Sequence, residues 1–351
     1  MLIGCGRIAR KHIEAISHTK HLVLRAAVDP NQRKLEAISL PTGCSRYDSI
    51  DSALVENGDI DLAVIAAESG NHYRIAMKLV GRVRTLLIEK PITLRSENAW
   101  QLLKAAETSG TRVNVVQQNR LNGPVQFVQK LLDEGALGSL YSANVNVLWN
   151  RNKEYYEESE WRGGWQMDGG VMSNQANHHL DLLLQYLGQP HKINCRIRNT
   201  RNLLEAEDLA HGLLEFKTGA LASFQLTTAA EPRNISSSIT LVGEKGLVTV
   251  GGLALNKLEI CTLPAAQTGL GSSSTVDDRI DDVYGLGHSR LYKHLEENWE
   301  ELPTRITDPH SAIRTVELVE ALYSSAIQEQ EVVLDSDTEY LGAKIPLGSG
   351  E

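Results

Sequence analysis

Met1-Leu2-Ile3 runs straight into Gly4-Cys5-Gly6-Arg7-Ile8-Ala9, and this junction constrains the fold more than any other stretch of the chain. A G-x-G-x-x-A run between an apolar strand and a helix is the fingerprint of a dinucleotide-binding turn. The first glycine makes the tight turn and the second lets a pyrophosphate approach the backbone. The small third residue lets the helix pack on the strand, and the helix N-terminus offers its N–H groups to the phosphates. Only Met1, Leu2 and Ile3 precede the turn, fewer residues than most strands have, so the first strand is expected to be short or incomplete. Taken alone, the run also fits an ordinary strand–helix turn. Its context favours the nucleotide. Residues 11–17 read as helix, and residues 22–28 read as a buried strand ending at Asp29. An acidic residue there holds the adenosine ribose hydroxyls and repels a 2′-phosphate, so NAD is favoured over NADP. Arg33, close by, softens that preference. Asp29-Pro30-Asn31 is also a turn sequence, and the two readings are compatible.

The alternation continues. Residues 59–67 read as a strand, Glu68-Ser69-Gly70-Asn71-His72 as a polar loop, and the chain is then helical to about Val80. Residues 83–88 form the next strand, which delivers Glu89-Lys90-Pro91. Ser96 is the expected cap of a helix ending before Gly110, and residues 112–117 follow as a strand. This rhythm predicts a parallel, doubly wound Rossmann domain over residues 1–119. Ligands bind such sheets beyond the carboxyl ends of the strands, where the Glu68 to His72 loop and the Glu89 to Pro91 turn both fall. Most lysines after a strand are solvated charges. Here Pro91 keeps Lys90 out of the helical region and fixes it at the crevice mouth, where a lysine can hydrogen-bond a substrate hydroxyl and stabilise a developing alkoxide.

After Gln117-Gln118-Asn119-Arg120 the pattern changes. A helix is expected around 124–134 and a half-buried strand over 140–149. Residues 151–162, with Tyr155, Tyr156, Trp161 and Arg162, read as an active-site loop. The run from Gly163 to Asp181 opens glycine-rich and turns into a helix over 174–187, with Leu180, Leu183, Leu184 and Leu187 as its apolar face and Gly188 as its C-terminal cap. On such a helix Asn174, His178 and Asp181 share one side. An amide and an imidazole beside a glycine loop suit proton transfer to a bound hydroxyl, and an unperturbed imidazole titrates in the right range for a base. A solvated edge or a satisfied buried histidine would give the same row. A His-His-x-Asp metal site lacks a completing ligand at helical spacing, and no metal is expected. His179 falls on another face with Gln175, as a supporting or surface residue. Consecutive strands at 192–198, 209–216, 220–228, 236–242 and 247–250 predict a large antiparallel or mixed sheet in a second, α+β domain over 120–351. Residues 265–278 read as a mobile loop. A last helix starts at the Asp308 cap with Pro309 in its first turn, runs to about Gln328, and is free to pack back on the first domain.

The net charge of −9 argues against a nucleic-acid or anionic-membrane partner. Cys5, Cys44, Cys195 and Cys261 are widely spaced and form no metal pattern, as expected in a reducing cytoplasm. No apolar run is long enough to span a bilayer, and no signal peptide is legible.

Together, the Gly4 to Ala9 fingerprint, Glu89-Lys90-Pro91 and the Asn174-x-x-x-His178 step resemble the Gfo/Idh/MocA oxidoreductases over essentially the whole chain. The resemblance implies an NAD-dependent dehydrogenase in which Lys90 and His178 act on a sugar hydroxyl beside the nicotinamide ring. The family commonly has an aspartate where this chain has Asn174. That departure, with Gln117-Gln118-Asn119-Arg120, Asn146-Val147-x-Trp149, Tyr155-Tyr156, Trp161-Arg162-Gly163, Asp168-Gly169-Gly170 and Tyr284-Gly-Leu-Gly-His288 followed by Tyr292, is similar to one subgroup. Its members are the UDP-N-acetylglucosaminuronate 3-dehydrogenases of lipopolysaccharide O-antigen sugar synthesis. Ser173 and Asn177-His178-His179 depart from that subgroup's flanks.

Cofactor contacts are then expected from Gly4, Gly6, Arg7, Ile8, Asp29, Ala67, Glu68, Asn71, His72, Glu89, Lys90 and Gln118. Substrate contacts are expected from Lys90, Arg120, Lys153, Tyr156, Arg162, Asn174, Gln175 and His178, with the arginines suited to carboxylate and diphosphate. The expected partner is a small nucleotide sugar, and the expected assembly a homodimer or homotetramer. Another sugar or cyclitol dehydrogenase, or a 3-ketosugar reductase, is the alternative within the family. A catalytically silent dinucleotide and sugar sensor is the alternative outside enzymology.

Overall fold

The computed structural model describes residues 1–264, 268, 276–280 and 285–334. Most of the stretch expected as a mobile loop (265–278) lies outside these residues, as does Tyr284. The chain divides into two compact units: Met1–Gln118 with Leu286–Ile313, and Asn119–Gly285 with the chain from Arg314 onward.

The first unit is built on six parallel strands in the order β3-β2-β1-β4-β5-β6. These are β1 (Leu2–Ile3), β2 (Ala26–Val28), β3 (Ser45–Tyr47), β4 (Leu62–Ile65), β5 (Thr85–Ile88) and β6 (Arg112–Val115). That order is the doubly wound dinucleotide-binding topology, with its switch between β1 and β4. β1 is short, as expected, yet it is central: Leu2 pairs with both Ala27 and Val64. Leu86, Leu87 and Ile88 are completely buried, the mark of a strand covered on both faces. The covering helices are α1 (Ala9–Ser17), α2 (Gln32–Ala37), α3 (Ile50–Asn57), α4 (His72–Leu79) and α5 (Ser96–Ser109). Ser96 is the first residue of α5; Arg95 takes the expected cap position. Gly110 closes that helix in the left-handed region, at φ 72°. The β2 to β4 connection, with α2, β3 and α3, has no clear sequence signature. Ser45 and Arg46 are exposed, so β3 carries no apolar run to read. The Gly287–Glu297 helix belongs to this unit and packs along α1.

The second unit is an eight-stranded mixed sheet in the order β13-β12-β11-β7-β10-β9-β8-β14. β7 (Leu140–Leu148) is parallel to β10 (Leu221–Thr227) and antiparallel to β11 (Ser236–Gly243). β8 (Pro190–Arg198), β9 (Leu209–Phe216) and β12 (Gly246–Gly251) complete the expected set. Two edge strands, β13 (Lys257–Cys261) and β14 (Val332–Val333), add to it. Alternation along β7 buries Ala143, Val145 and Val147 and leaves Asn144 and Asn146 half-buried on the other face. The buried face joins one core with α6 (Gly123–Asp133), α8 (Asn177–Leu187) and the second half of the Pro309–Gln328 helix; between α6 and α8 in the chain lies the short α7 (Lys153–Glu157). Asp308 caps that last helix, accepting from the backbone N–H groups of His310 and Ser311. Among the described residues no helix is long and apolar enough to cross a membrane.

Two expectations about α8 need correction. It begins at Asn177, not at residue 174, so Asn174 stands in the turn before it. Gly169, at φ 75°, starts a series of turns closed by Asn174 N–H to Gly170 O and Ala176 N–H to Val171 O, and this geometry delays the helix. Nor is α8 amphipathic in its first two turns: every residue from Asn177 to Leu183 is buried. His179, expected as a supporting or surface residue, is 1% exposed.

Candidate active site

In the first unit the glycine turn is shaped by its backbone. Gly4 has φ 94°, and a Cβ there would stand 2.5 Å from the Ala66 carbonyl oxygen, so only glycine fits. A Cβ at Gly6 would meet nothing within 4 Å, so the turn is open over Gly6 as a pyrophosphate requires. Arg7 and Ile8 lead from it into α1, where the Ala9 N–H turns back to Gly6 O at 3.2 Å and the Lys11 N–H to Ile8 O at 2.9 Å. Asp29 is buried at the end of β2. One carboxylate oxygen accepts from Cys5 N–H at 2.9 Å and the other from Asn31 N–H at 2.8 Å. This ties the glycine turn to the acidic residue and leaves lone pairs on both oxygens. The exposed Pro30, Asn31, Gln32 and Arg33 follow directly along a shallow, open stretch of surface. The turn and the carboxylate fit a bound dinucleotide.

At the carboxyl ends of β4 and β5, His72 is buried between two backbone carbonyls, Pro91 O at 2.8 Å and Ala67 O at 3.1 Å. Burial pushes its pKa down against the pull of those carbonyls. Its ring therefore ties the Ala67 loop to the Glu89-Lys90-Pro91 turn, a different task from the cofactor contact expected of it. Glu68 accepts from Lys34 and Asn71, each at 3.2 Å.

Glu89 is the centre of a buried network. Its Oε1 meets His12 Nε2 at 3.1 Å and His288 Nε2 at 3.2 Å, and its Oε2 accepts from the Lys90 backbone N–H at 3.2 Å. His12 Nδ1 meets the Tyr292 hydroxyl at 2.8 Å. Burial pushes the Glu89 carboxyl up, but the two histidine hydrogen bonds outweigh it and hold it well below the usual carboxylate range. Burial also keeps His12 neutral. A neutral His12 satisfies all its partners in one tautomer: Nε2–H donates to Glu89 and Nδ1 accepts from Tyr292. Among the described residues His12, Glu89 and His288 also form a group of donors within reach of one ion; their spacings here are those of hydrogen bonds. Sequence reasoning misses His12, although it lies on the stripe of α1 that buries Ala9, Ala15 and Ile16. A polar residue in an apolar stripe is the available signal. Gln118, the last expected cofactor contact, is buried at the end of this unit's first segment.

In the second unit the Gly163 to Gly170 segment folds back on itself. The N–H groups of Asp168 and Gly169 both reach Gly164 O at 3.0 Å. Asp168, 1% exposed, accepts from Gly163 N–H at 2.8 Å and from the Asn174 side-chain amide at 2.5 Å. His178 and Gln175 are each 8% exposed, at the start of α8 and in the turn before it. His179 stacks edge-on to Trp149, with centroids 6.0 Å apart, and neither ring nitrogen has a hydrogen-bond partner. Burial alone pushes its pKa down to about 3, so it stays neutral.

The cations expected to meet the substrate are differently placed. Arg120 is sealed against Asp181, with Nε to Oδ2 at 2.8 Å and Nη2 to Oδ1 at 2.5 Å. Asp181 also accepts from Thr315 at 3.2 Å. Arg162 stacks over the Tyr155 ring at 4.2 Å and donates to Glu158 at 2.6 Å. Lys153 is exposed and pairs with Glu157 at 3.2 Å. Tyr156 is buried, its hydroxyl 3.1 Å from that of Thr228, and burial pushes its pKa up to about 12.

Beneath the glycine loop lies a further group that sequence reasoning misses. Glu207 takes the Tyr323 hydroxyl on both oxygens, at 3.0 and 2.9 Å, and Met172 N–H at 3.0 Å. Burial raises its pKa to about 7. A carboxyl whose pKa is raised on folding contributes stability that is full below its unfolded value, 4.5, and lost as pH rises through about 7. Glu207→Gln is therefore expected to flatten the pH dependence of the melting temperature across that window, mainly by raising it at the alkaline end. Identical pH profiles for the two proteins would contradict this assignment.

A family profile described as an oxidoreductase family with an NAD-binding Rossmann fold matches residues 1–117, and a GFO/IDH/MocA C-terminal domain profile matches residues 125–249. The chain belongs to the GFO/IDH/MocA oxidoreductase family. It is 32% identical to the WlbA dehydrogenase of Bordetella pertussis, solved in complex with NADH and UDP-GlcNAcA. That match has a TM-score of 0.84 and covers 96% of this chain and 98% of the other. The WlbA dehydrogenase of Chromobacterium violaceum, solved with the same two molecules, is 30% identical at TM-score 0.84, with 96% of each chain covered. An inositol 2-dehydrogenase of Arthrobacter sp. is 25% identical over 72% of this chain and 73% of its own length. The protein is an NAD-dependent dehydrogenase of the class whose members act on CH–OH groups of sugars and inositols.

Proposed function

We propose that this dehydrogenase oxidises the 3-hydroxyl of a UDP-linked N-acetylated sugar uronate in nucleotide-sugar synthesis. The observation that carries the reading is the near-full-length similarity, at 30–32% identity, to two WlbA dehydrogenases solved with UDP-GlcNAcA. Asn174 in place of the family's common aspartate, with its flanking motifs, supports the same subgroup.

The residues divide the work by chemistry. Bound NAD supplies the hydride acceptor. Gly4 and Gly6 admit its pyrophosphate, and Asp29 keeps lone pairs for the ribose hydroxyls. His178 takes the proton of the 3-hydroxyl, and the Lys90 ammonium hydrogen-bonds the same oxygen and stabilises its developing charge. His178 is preferred to His179 because His179 is 1% exposed and burial pushes its pKa down to about 3, which makes it too weak a base to hold the proton at neutral pH. Arg120 is closed on a buried carboxylate, Asp181, whereas Lys153 and Arg162 pair with the more exposed Glu157 and Glu158; Lys153 and Arg162 are therefore the cations assigned to carboxylate and diphosphate. The outward face of the large sheet exposes Leu213 and Leu221. We assign it to self-association, which a mass measurement by light scattering tests.

The experiment is a screen of UDP-sugars and UDP-sugar uronates with both NAD and NADP, followed by nicotinamide fluorescence. Turnover is expected with the uronates and NAD. NADP should bind more weakly, because Asp29 repels its 2′-phosphate. Turnover of inositols or free sugars without any turnover of uronates would overturn the substrate. Equal affinity for both cofactors would count against the role given to Asp29.

A further inference from the structure

The amide of Asn174 has a fixed polarity, and Asp168 fixes it. An ionised carboxylate only accepts hydrogen bonds. One oxygen of Asp168 is pinned by Gly163 N–H at 2.8 Å, inside a segment already closed by bonds to Gly164 O. The other takes the Asn174 Nδ2 at 2.5 Å. With Asp168 1% exposed and anchored by backbone, it is the rigid member of the pair and Asn174 the oriented one. The Asn174 Oδ1 is therefore turned away from Asp168.

We propose that Asp168 is a positioning residue that makes Asn174 present an acceptor, through Oδ1, to a donor at the reacting end of the sugar: a ring hydroxyl or the protonated imidazole of His178. The proposal rests on the reading of Asn174 and His178 as substrate-facing.

Exchanging the two side chains tests it. In Asp168→Asn the new amide keeps both bonds: its Oδ1 accepts from Gly163 N–H and its Nδ2 donates to Asn174. To accept that donor, Asn174 must flip and turn its own NH2 outward. The contacts with Gly163 and Asn174 are kept and the polarity of Asn174 is inverted. Turnover, as kcat/KM, is expected to fall roughly 10- to 100-fold with unchanged NADH affinity, the size of one substrate hydrogen bond lost to a misoriented partner. In the double variant Asp168→Asn with Asn174→Asp, the amide introduced at position 168 serves both neighbours and the carboxylate introduced at 174 again presents an acceptor. The double variant is expected to recover most of the loss. A purely structural role for Asp168 predicts an active single variant and no recovery. An Asp168→Asn enzyme as active as the parent, or a double variant no better than the single, overturns the proposal.

A second readout needs no substrate. Asn174→Asp alone puts two carboxylates in contact, and one must hold a proton. Its melting temperature should therefore fall as pH rises, more steeply than the parent's, and adding Asp168→Asn should remove that slope. A flat response in the single variant overturns the pairing. A parent enzyme inactive on every uronate would defeat the substrate reading alone, and this arm would still decide the role of Asp168.

Discussion

Lys90→Met and His178→Ala are each expected to lower kcat by roughly 10²–10⁴ with little change in KM, the range for positioned acid–base and oxyanion-stabilising groups. The two residues have separate structural supports. Lys90 follows Glu89, whose carboxylate accepts the Lys90 N–H and is itself held by His12 and His288. His178 opens α8, directly after the turns organised by Gly169 and Gly170. The proposal that both act on one oxygen predicts effects that do not add: the double variant should be scarcely slower than the worse single one. His179→Ala is the control. Its ring contacts Trp149 in the core, so the variant should lose stability and keep most of its turnover at low temperature. A dead His179→Ala beside an active His178→Ala would reverse the assignment.

Asp181→Ala is expected to destabilise the protein by about 3–5 kcal/mol, because it leaves the Arg120 guanidinium buried without its counter-charge. The side chains of the pair are 4% and 2% exposed, so water cannot replace the lost partner. Replacing both by apolar residues of similar volume should recover much of the loss, since the desolvation penalty disappears with the charges. Chemical denaturation of the two single variants and the double one measures this. If Arg120 instead held the substrate carboxylate, Arg120→Ala would raise KM strongly with little loss of stability.

The first unit is legible because its code is local. A glycine turn, an acidic strand end and short apolar strands between helices specify the parallel sheet with right-handed crossovers, apart from β3, whose exposed Ser45 and Arg46 give no apolar run to read. What stays hidden is set by tertiary pairing. Arg120 reads as a substrate cation until Asp181, far along the chain, is seen closing on it. His12, Glu89, His288 and Tyr292 come from three separate segments, and their union is invisible to any spacing rule. The start of α8 differs from its expected place because a helical period continues through residues 174–176, whereas Gly169 and the hydrogen bonds to Gly170 and Val171 hold that stretch in turns. His179 differs for a related reason: periodicity assigns one buried face, and this helix is buried all round where it begins.

The most direct test of the central claim follows the hydride. UDP-N-acetylglucosaminuronate carrying deuterium at C3 of the sugar, and a second sample carrying it at C4, would each be incubated with the enzyme and NAD, and the reduced cofactor weighed by mass spectrometry. The account predicts that deuterium reaches the nicotinamide from C3 and not from C4. Transfer from C4, or no reduction of NAD by either sample, would contradict it.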